Sequence, residues 1–398
     1  MSSSLWQRSF ACVLALACLG AMAAPAAEQA GLSRFVRPLV GTKGEGNTFP
    51  GPVAPFGMIQ PGPDTDDPLW DTASGYEYSD SSIIGFSLTH SSGTGIPDLG
   101  DAAFMPTLGA PPLVAGTAAR PDSGYRASDS HADEEVASGY HRVRLRRSAI
   151  VIEPTASERA GMMRFTFPAS DSACLLADLR HVLRWDVLRS QLRVENDSTL
   201  TGMHVVAGWA KNRTLDFAAR FSRPFDGYTL FKDFKRVQYD SYRFRSAAEA
   251  AGANLQFVAR WKTNAAEAIT MRIAVSSVST ANALANLDQD ASGRVFAAMR
   301  HATEAAWDRA LATLEVTATE RGLRTFYTAL YHAMLAPALY TDTDGSCRGL
   351  DQSPHHATGF TAYTTFSLRG HLSRGAPPAR AHRCAARCRH DQLAARTR

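Results

Sequence analysis

From about Ser148 to Ser279 the chain alternates between apolar and polar positions. Met163, Phe165 and Phe167 fall on one side and Arg164 and Thr166 on the other. Leu192 and Val194 alternate with Arg193 and Glu195, and Leu255, Phe257, Ala259 and Trp261 form a third stripe. Ile269, Met271, Ile273 and Val275 form a fourth, against Thr270, Arg272 and Ala274. A period of two between turn signals predicts half-buried antiparallel strands, and many such strands in one run predict a β-sandwich. After Thr280 the apolar spacing lengthens to three and four within Ala-rich sequence. Phe296, Met299, Trp307, Leu311 and Leu314 make one helical stripe, interrupted only by Thr303. A second helix is expected over roughly Thr319–Ala336, with Leu323, Phe326, Tyr327, Leu330 and Met334 on one face and Pro337 ending it. The expected fold class is therefore mainly β with appended helices.

The two ends have other compositions. Residues 1–27 read as a secretory signal: Arg8 supplies the positive region, Phe10–Met22 the apolar run, and Ala21-Met22-Ala23 the small-residue cleavage site. The run is too short for a membrane-spanning helix, and no later segment is long and apolar enough. Cys18 as a lipid acceptor is the weaker alternative, because Leu16 occupies the wrong slot ahead of it. Residues 369–398 hold eight Arg, three His and two Cys against one acid, Asp391. His382, Cys384, Cys388 and His390 have zinc-compatible spacing, and the arginines imitate a nucleic-acid arm. The preferred reading is a translated frameshift beginning near residue 368, with neither zinc nor nucleic acid as partner and no order expected in the tail.

That reading changes the electrostatics. The 398-residue chain carries +4, of which the tail supplies +7, leaving −3 for the remainder. The basic pI of 8.8 belongs to the tail and implies no basic partner surface. Only Cys174 and Cys347 lie outside the signal and the tail. Export would permit them to pair. Their contexts, a buried strand for Cys174 and a loop for Cys347, make two thiols at least as good a reading.

Residues 41–101 carry the candidate chemistry. The stretch is rich in Gly, Pro, Ser, Thr and Asp, yet also holds Phe49, Phe56, Trp70, Tyr76, Tyr78, Phe86 and His90. A disordered linker lacks such aromatics, and an ordinary core lacks so many turn formers. Ordered loops around a polar, flat-faced ligand such as a sugar fit the mixture. Trp70 is either the anchor of a Pro-rich loop or a face for a hexose, and Asp71 beside it would accept hydroxyl protons. His90 is either a structural imidazole or a group at a pocket rim. Tyr76 and Tyr78 point the same way if extended, one for the core and one for a ligand. Asp98 and Asp101 are placed to hold the Gly93-Thr94-Gly95 turn. That turn lacks the strand and helix of a nucleotide loop. Asp342-Thr343-Asp344-Gly345 imitates the start of a calcium loop but has Ser353 where the closing acid belongs. The sequon Asn196-Asp197-Ser198 is idle in a chain with an Ala-rich signal of bacterial character.

Gly46-Asn47-Thr48-Phe49-Pro50-Gly51, Pro55-Phe56-Gly57-Met58, Ser74-Gly75-Tyr76, Ile84-Gly85-Phe86-Ser87 and Ser92-Gly93-Thr94-Gly95 closely resemble the opening of glycoside hydrolase family 92, the exo-acting α-mannosidases. Phe221-Ser222-Arg223-Pro224-Phe225 and Phe326-Tyr327-Thr328-Ala329-Leu330-Tyr331-His332 extend the resemblance, which runs from about Phe35 to about Leu368. Ala73 and Glu77 depart from it, where relatives often carry Cys and His. The resemblance implies an N-terminal β-sandwich over 28–280 and the start of an (α/α)6 catalytic barrel over 281–368. It also implies a calcium-dependent inverting reaction on α-mannosides, with a Glu acid, an Asp base and calcium ligands all beyond Leu368. No catalytic or metal-binding residue is therefore expected in this chain. Substrate-binding residues are expected at Trp70, Asp71, Tyr76, Tyr78 and His90, and the location is expected to be periplasmic or secreted. The expectation is an inactive N-terminal fragment of such an enzyme. A lectin-like module and a non-functional gene product are the alternatives. The last would expose Phe326, Leu330 and Met334 as an apolar patch.

Overall fold

The computed structural model describes residues 31–65, 72–239 and 247–364. Two antiparallel sheets face each other across one core. Among the described residues the first has seven strands, in the order Gly62–Asp64, Gly85–Ser87, Ala103–Leu108, Ser170–Asp178, Leu255–Thr263, Gly227–Lys232 and Lys235–Arg236. The second has nine, in the order Glu249–Gly252, Val187–Asn196, Thr199–Val206, Arg213–Phe221, Glu267–Ser276, Ala160–Phe167, Val151–Ala156, Tyr140–Arg144 and Glu135–Ala137. All four stripes read from the sequence face this core. Phe165, Leu192, Phe257, Trp261, Met271 and Ile273 are each at most 1% exposed. Register follows the alternation, with Met163 opposite Met271 and Phe165 opposite Ile269. Phe221, Phe225, Phe257 and Trp261 pack as a ring cluster at one end, with centroids 5.2–5.7 Å apart.

Among the described residues three α-helices follow: α1 (Thr280–Ala291), α2 (Phe296–Leu311) and α3 (Glu320–Ala333). The outer side of the nine-stranded sheet carries Ala160, Ala218 and Ala274, all fully buried. These small side chains let α1 approach and bury Ala283, Leu287 and Ala291 against them. Ser279 caps α1, its hydroxyl accepting from the Asn282 N–H at 3.1 Å. Asn286 then donates to Val275 O and Asp342, and Ser276 also donates to Asp342, which ties the 342–345 turn to the helix.

On α2 the buried residues are Phe296, Met299, Thr303, Trp307 and Leu311. Thr303, the one polar member, satisfies its hydroxyl on Ala156 O at 2.6 Å. Leu314 lies past the helix end and is 46% exposed, because α2 stops at Leu311. Helix α3 is capped by Thr319 and ends at Ala333, three residues short of the expected limit, with Met334 already outside helical geometry. The expected apolar patch is also corrected. Leu330 and Met334 are buried with Phe35, Val36, Val53, Trp307 and Tyr331, and only Phe326 of the three is half-buried. The short 3-10 helix at Leu32–Phe35 covers that face. No disulfide joins Cys174 and Cys347; Cys347 is buried in the short strand Ser346–Arg348 rather than in a loop. Among the described residues no helix is long and apolar enough to cross a membrane, which leaves strands unaddressed.

Candidate functional site

Three stretches of the Gly- and Pro-rich region meet at one end of the sandwich. Asn47 adopts left-handed geometry (φ 49°), which turns its side chain and carbonyl toward two different neighbours. Its Oδ1 accepts from Ala73 N–H at 3.0 Å and its carbonyl accepts from Gly93 N–H at 2.5 Å. Tyr78 N–H donates to Thr42 O at 2.9 Å, and Gly44 N–H donates to Glu77 at 3.0 Å. Ser91 and Thr94 bond through their hydroxyls at 3.0 Å. Residues 41–49, 72–80 and 90–96 are thereby knitted into one surface. The loop beneath them is held from the helices: Trp307 donates to Val53 O at 2.7 Å, and Tyr331 donates to Gly51 O at 3.4 Å. Trp70 and Asp71 lie outside the described residues.

Below this surface sits a buried aromatic and ionic layer. Phe49 stacks on His90, with centroids 4.2 Å apart and planes 13° apart. Gly51 and Gly62 leave the space its ring fills, since a Cβ at either would overlap it. His90 is 3% exposed; its Nδ1 meets Gln60 O at 2.7 Å and its Nε2 meets Asp64 at 3.0 Å and Ser87 at 3.1 Å. His181 reaches the other Asp64 oxygen at 2.7 Å. Burial opposes ionisation of Asp64, but His90 and His181 outweigh it and hold the carboxyl well below the usual carboxylate range. For His181 burial opposes protonation, and Asp64 outweighs it to raise the imidazole above its ordinary value. Gly75 (φ 90°) completes the layer, because a Cβ there would strike the Asp64 carboxylate. Several glycines of this region thus make room for buried rings and a buried acid.

Tyr76 and Tyr78 flank a second cluster. Tyr76 is 1% exposed and donates to Glu134 at 2.9 Å. Tyr78 is 36% exposed and stacks on His131, with centroids 3.9 Å apart. Glu134 also meets His131 Nδ1 at 2.6 Å and His141 Nε2 at 2.8 Å, and His131 Nε2 meets Tyr78 O at 2.6 Å. Burial works against the Glu134 charge, yet His141, His131 and Tyr76 lower it to about 2. Asp129 is pushed the other way, to about 6, by burial and by Glu134. Its Oδ1 is buried with no hydrogen-bond partner among the described residues.

Asp101 does not hold the 93–95 turn. It is fully buried and accepts from the Thr89 hydroxyl, from His204 at 2.8 Å and from Arg213 through both terminal nitrogens. The turn is held by Asn47 and Ser91 instead, and Asp98 accepts from Leu99 N–H at 2.9 Å. The reason is distance in sequence. Residues 204 and 213 come from the opposite sheet and offer an acid buried at the sheet junction a cationic partner that a local turn lacks. His131, Glu134, His141, His181 and Arg213 were absent from the sequence-based site, and only the His131/Glu134 spacing of three hinted at a pair. Among the described residues no group of three or more His, Cys, Asp or Glu side chains is arranged for a metal. Asp64, Asp101 and Glu134 already accept from His, Arg or Tyr donors.

Comparison with known proteins bears on this surface. The family model described as "Glycosyl hydrolase family 92 N-terminal domain" matches residues 35–276, and that described as "Glycosyl hydrolase family 92 catalytic domain" matches residues 282–370. A solved family GH92 alpha-mannosidase from Bacteroides thetaiotaomicron is 44% identical, with TM-score 0.83, over 85% of this chain and 46% of that one. The same enzyme has been solved with mannoimidazole. A gh92 family glycosyl hydrolase, ccman5, is 27% identical with TM-score 0.74. An uncharacterised secreted glycosidase of Arthroderma benhamiae is 26% identical over 329 residues. The chain spans less than half the length of each of these relatives.

Proposed function

The chain belongs to glycosyl hydrolase family 92, and from that premise we propose that it forms the sandwich-side wall of an exo-α-mannosidase site. The observation that carries this reading is the 44% identity and 0.83 TM-score to an alpha-mannosidase solved in complex with mannoimidazole. Trp70, Asp71 and Tyr78 are assigned to contact an α-mannoside, Trp70 and Tyr78 through ring faces and Asp71 through its carboxylate. Tyr76 and His90, both buried, are assigned to the same wall as supports: Tyr76 anchors Glu134 beneath the Tyr78–His131 stack, and His90 fixes Asp64 beneath the 72–80 loop. Inverting hydrolysis needs an acid and a water-activating base on opposite faces of the sugar. These two carboxylates and the calcium are assigned to family sequence past Leu368, and the residues named here are assigned to binding the mannoside. The location is proposed to be outside the cytoplasm, in the periplasm or secreted, in keeping with the secreted fungal relative.

The test is calorimetry of the purified chain with α-1,2-mannobiose and with glucose, alongside an assay for released mannose. The expected result is weak heat with the mannobiose, reduced in Trp70→Ala and in Tyr78→Ala, and no free mannose. Free mannose, or heat that both variants retain in full, would overturn the assignment.

A further inference from the structure

A second cleft opens on the outer side of the nine-stranded sheet. It encloses about 360 Å³ between the ends of the strands Val187–Asn196, Thr199–Val206 and Arg213–Phe221 and the hairpin made by Ser346–Arg348 and Pro354–His356. That volume lies at the small end of ligand sites, which run from about 300 to 1,000 Å³. Leu188, 49% exposed, gives it an apolar side, with Val205, 4% exposed, at its floor. Arg189, Asn212, Thr214 and Gln352 give it a polar rim.

The rim is chemically open where the wall is fixed. Arg348 is spent on structure: its guanidinium donates to Ser277 O, Gln352 O and Val278 O, which clamps the hairpin against the sheet. By contrast, the side chains of Arg189 and Asn212 make no hydrogen bond or ion pair among the described residues. Five guanidinium N–H donors, two amides and one hydroxyl thus border an apolar patch. The turn that carries Asn212 also presents Trp209 at 58% exposure, where most large aromatics in this chain are buried.

We propose that this cleft is a second carbohydrate site, taking a pyranose unit of a mannoside with its C–H face on Val205 and Leu188 and its hydroxyls on Arg189, Asn212 and Thr214. A pyranose matches such a surface because it offers one apolar face ringed by hydroxyls that both donate and accept. Trp209 extends the surface toward the next sugar. The ligand class rests on the mannoside reading given above; the cleft does not. Its role would be to hold a branch of the glycan whose terminal sugar is presented elsewhere.

The experiment is calorimetry of the full chain carrying Trp70→Ala, which removes one ring assigned to the loop surface, titrated with α-1,2- and α-1,6-mannobiose to about 10 mM. Binding is expected to persist in that background and to fall at least tenfold on adding Arg189→Ala or, separately, Asn212→Ala, with an unchanged thermal midpoint in each. Two variants are used so that a folding defect in one leaves the other decisive. No heat in the Trp70→Ala background, or heat that both added substitutions leave intact, would overturn the cleft. A wild-type chain that binds only through Arg189 and Asn212 would support the cleft and sink the loop assignment instead.

Discussion

Replacing Asp101 with Asn tests the ionic layer most directly. The two side chains are nearly isosteric, so the change removes charge without opening a cavity. Asp101 is fully buried and serves three partners: Thr89, His204 and the bidentate Arg213. Arg213 is itself only 17% exposed at its side chain, so it loses its counter-charge with little water to replace it. Breaking a buried pair from one side costs about 3–5 kcal/mol. With a urea dependence of about 2–3 kcal/mol per molar, the unfolding midpoint followed by tryptophan fluorescence should fall by about 1–2 M. The sign with pH is also fixed. Burial disfavours the Asp101 charge, but Arg213 and His204 overcome it and hold the carboxyl well below its ordinary value. A depressed acid stabilises the fold above its unfolded value, about 3.9, and loses that contribution as pH falls toward the folded value. The gap between wild type and Asp101→Asn should therefore be full at pH 7 and shrink below about pH 4. A midpoint shift under about 0.3 M at pH 7, or a gap that widens in acid, would refute the reasoning.

Asp129→Asn should act with the opposite sign. Its folded value near 6 favours the neutral form, so the wild type loses stability as pH rises from about 4 to 6 and the variant gains about 1–3 kcal/mol at pH 7, with little difference at pH 4. Thermal melts at the two pH values check this. Gly75→Ala places a Cβ against Asp64 at a φ of 90°, and a loss of at least about 1–2 kcal/mol is expected in chemical denaturation. Tyr78→Ala should weaken mannobiose binding while leaving the thermal midpoint within a few degrees, because the ring is 36% exposed.

The sandwich was legible because burial on one side writes itself into every second residue, as at Ile269, Met271, Ile273 and Val275. The helices were legible for the same reason at a different period, and the caps Ser279 and Thr319 sit where the pattern starts. Leu314 misled because a stripe in sequence continues past the point where the backbone leaves the helix. The covering of Leu330 and Met334 was illegible, since it comes from Phe35 and Val36, some 300 positions away. The loop region announced ordered structure but hid its cause. Phe49, Asp64 and His90 explain several of its glycines through contacts among residues 49–90, whereas His181, His204 and Arg213 arrive from distant strands. No local pattern points to a histidine whose partner is a carboxylate on another sheet.

The short 3-10 helix at Leu32–Phe35, which covers the face of α2 and α3, is fastened there by residues far along the chain. Ser33 N–H donates to Asp308 at 2.8 Å and Arg37 N–H donates to Thr328 at 3.0 Å, joining positions separated by 275 and 291 residues. Contacts of such span form late, because a very long loop must close first. A ribosome releasing this polypeptide would thus hold an assembled sandwich whose leading edge waits, unfastened, until α2 and α3 have emerged to meet it.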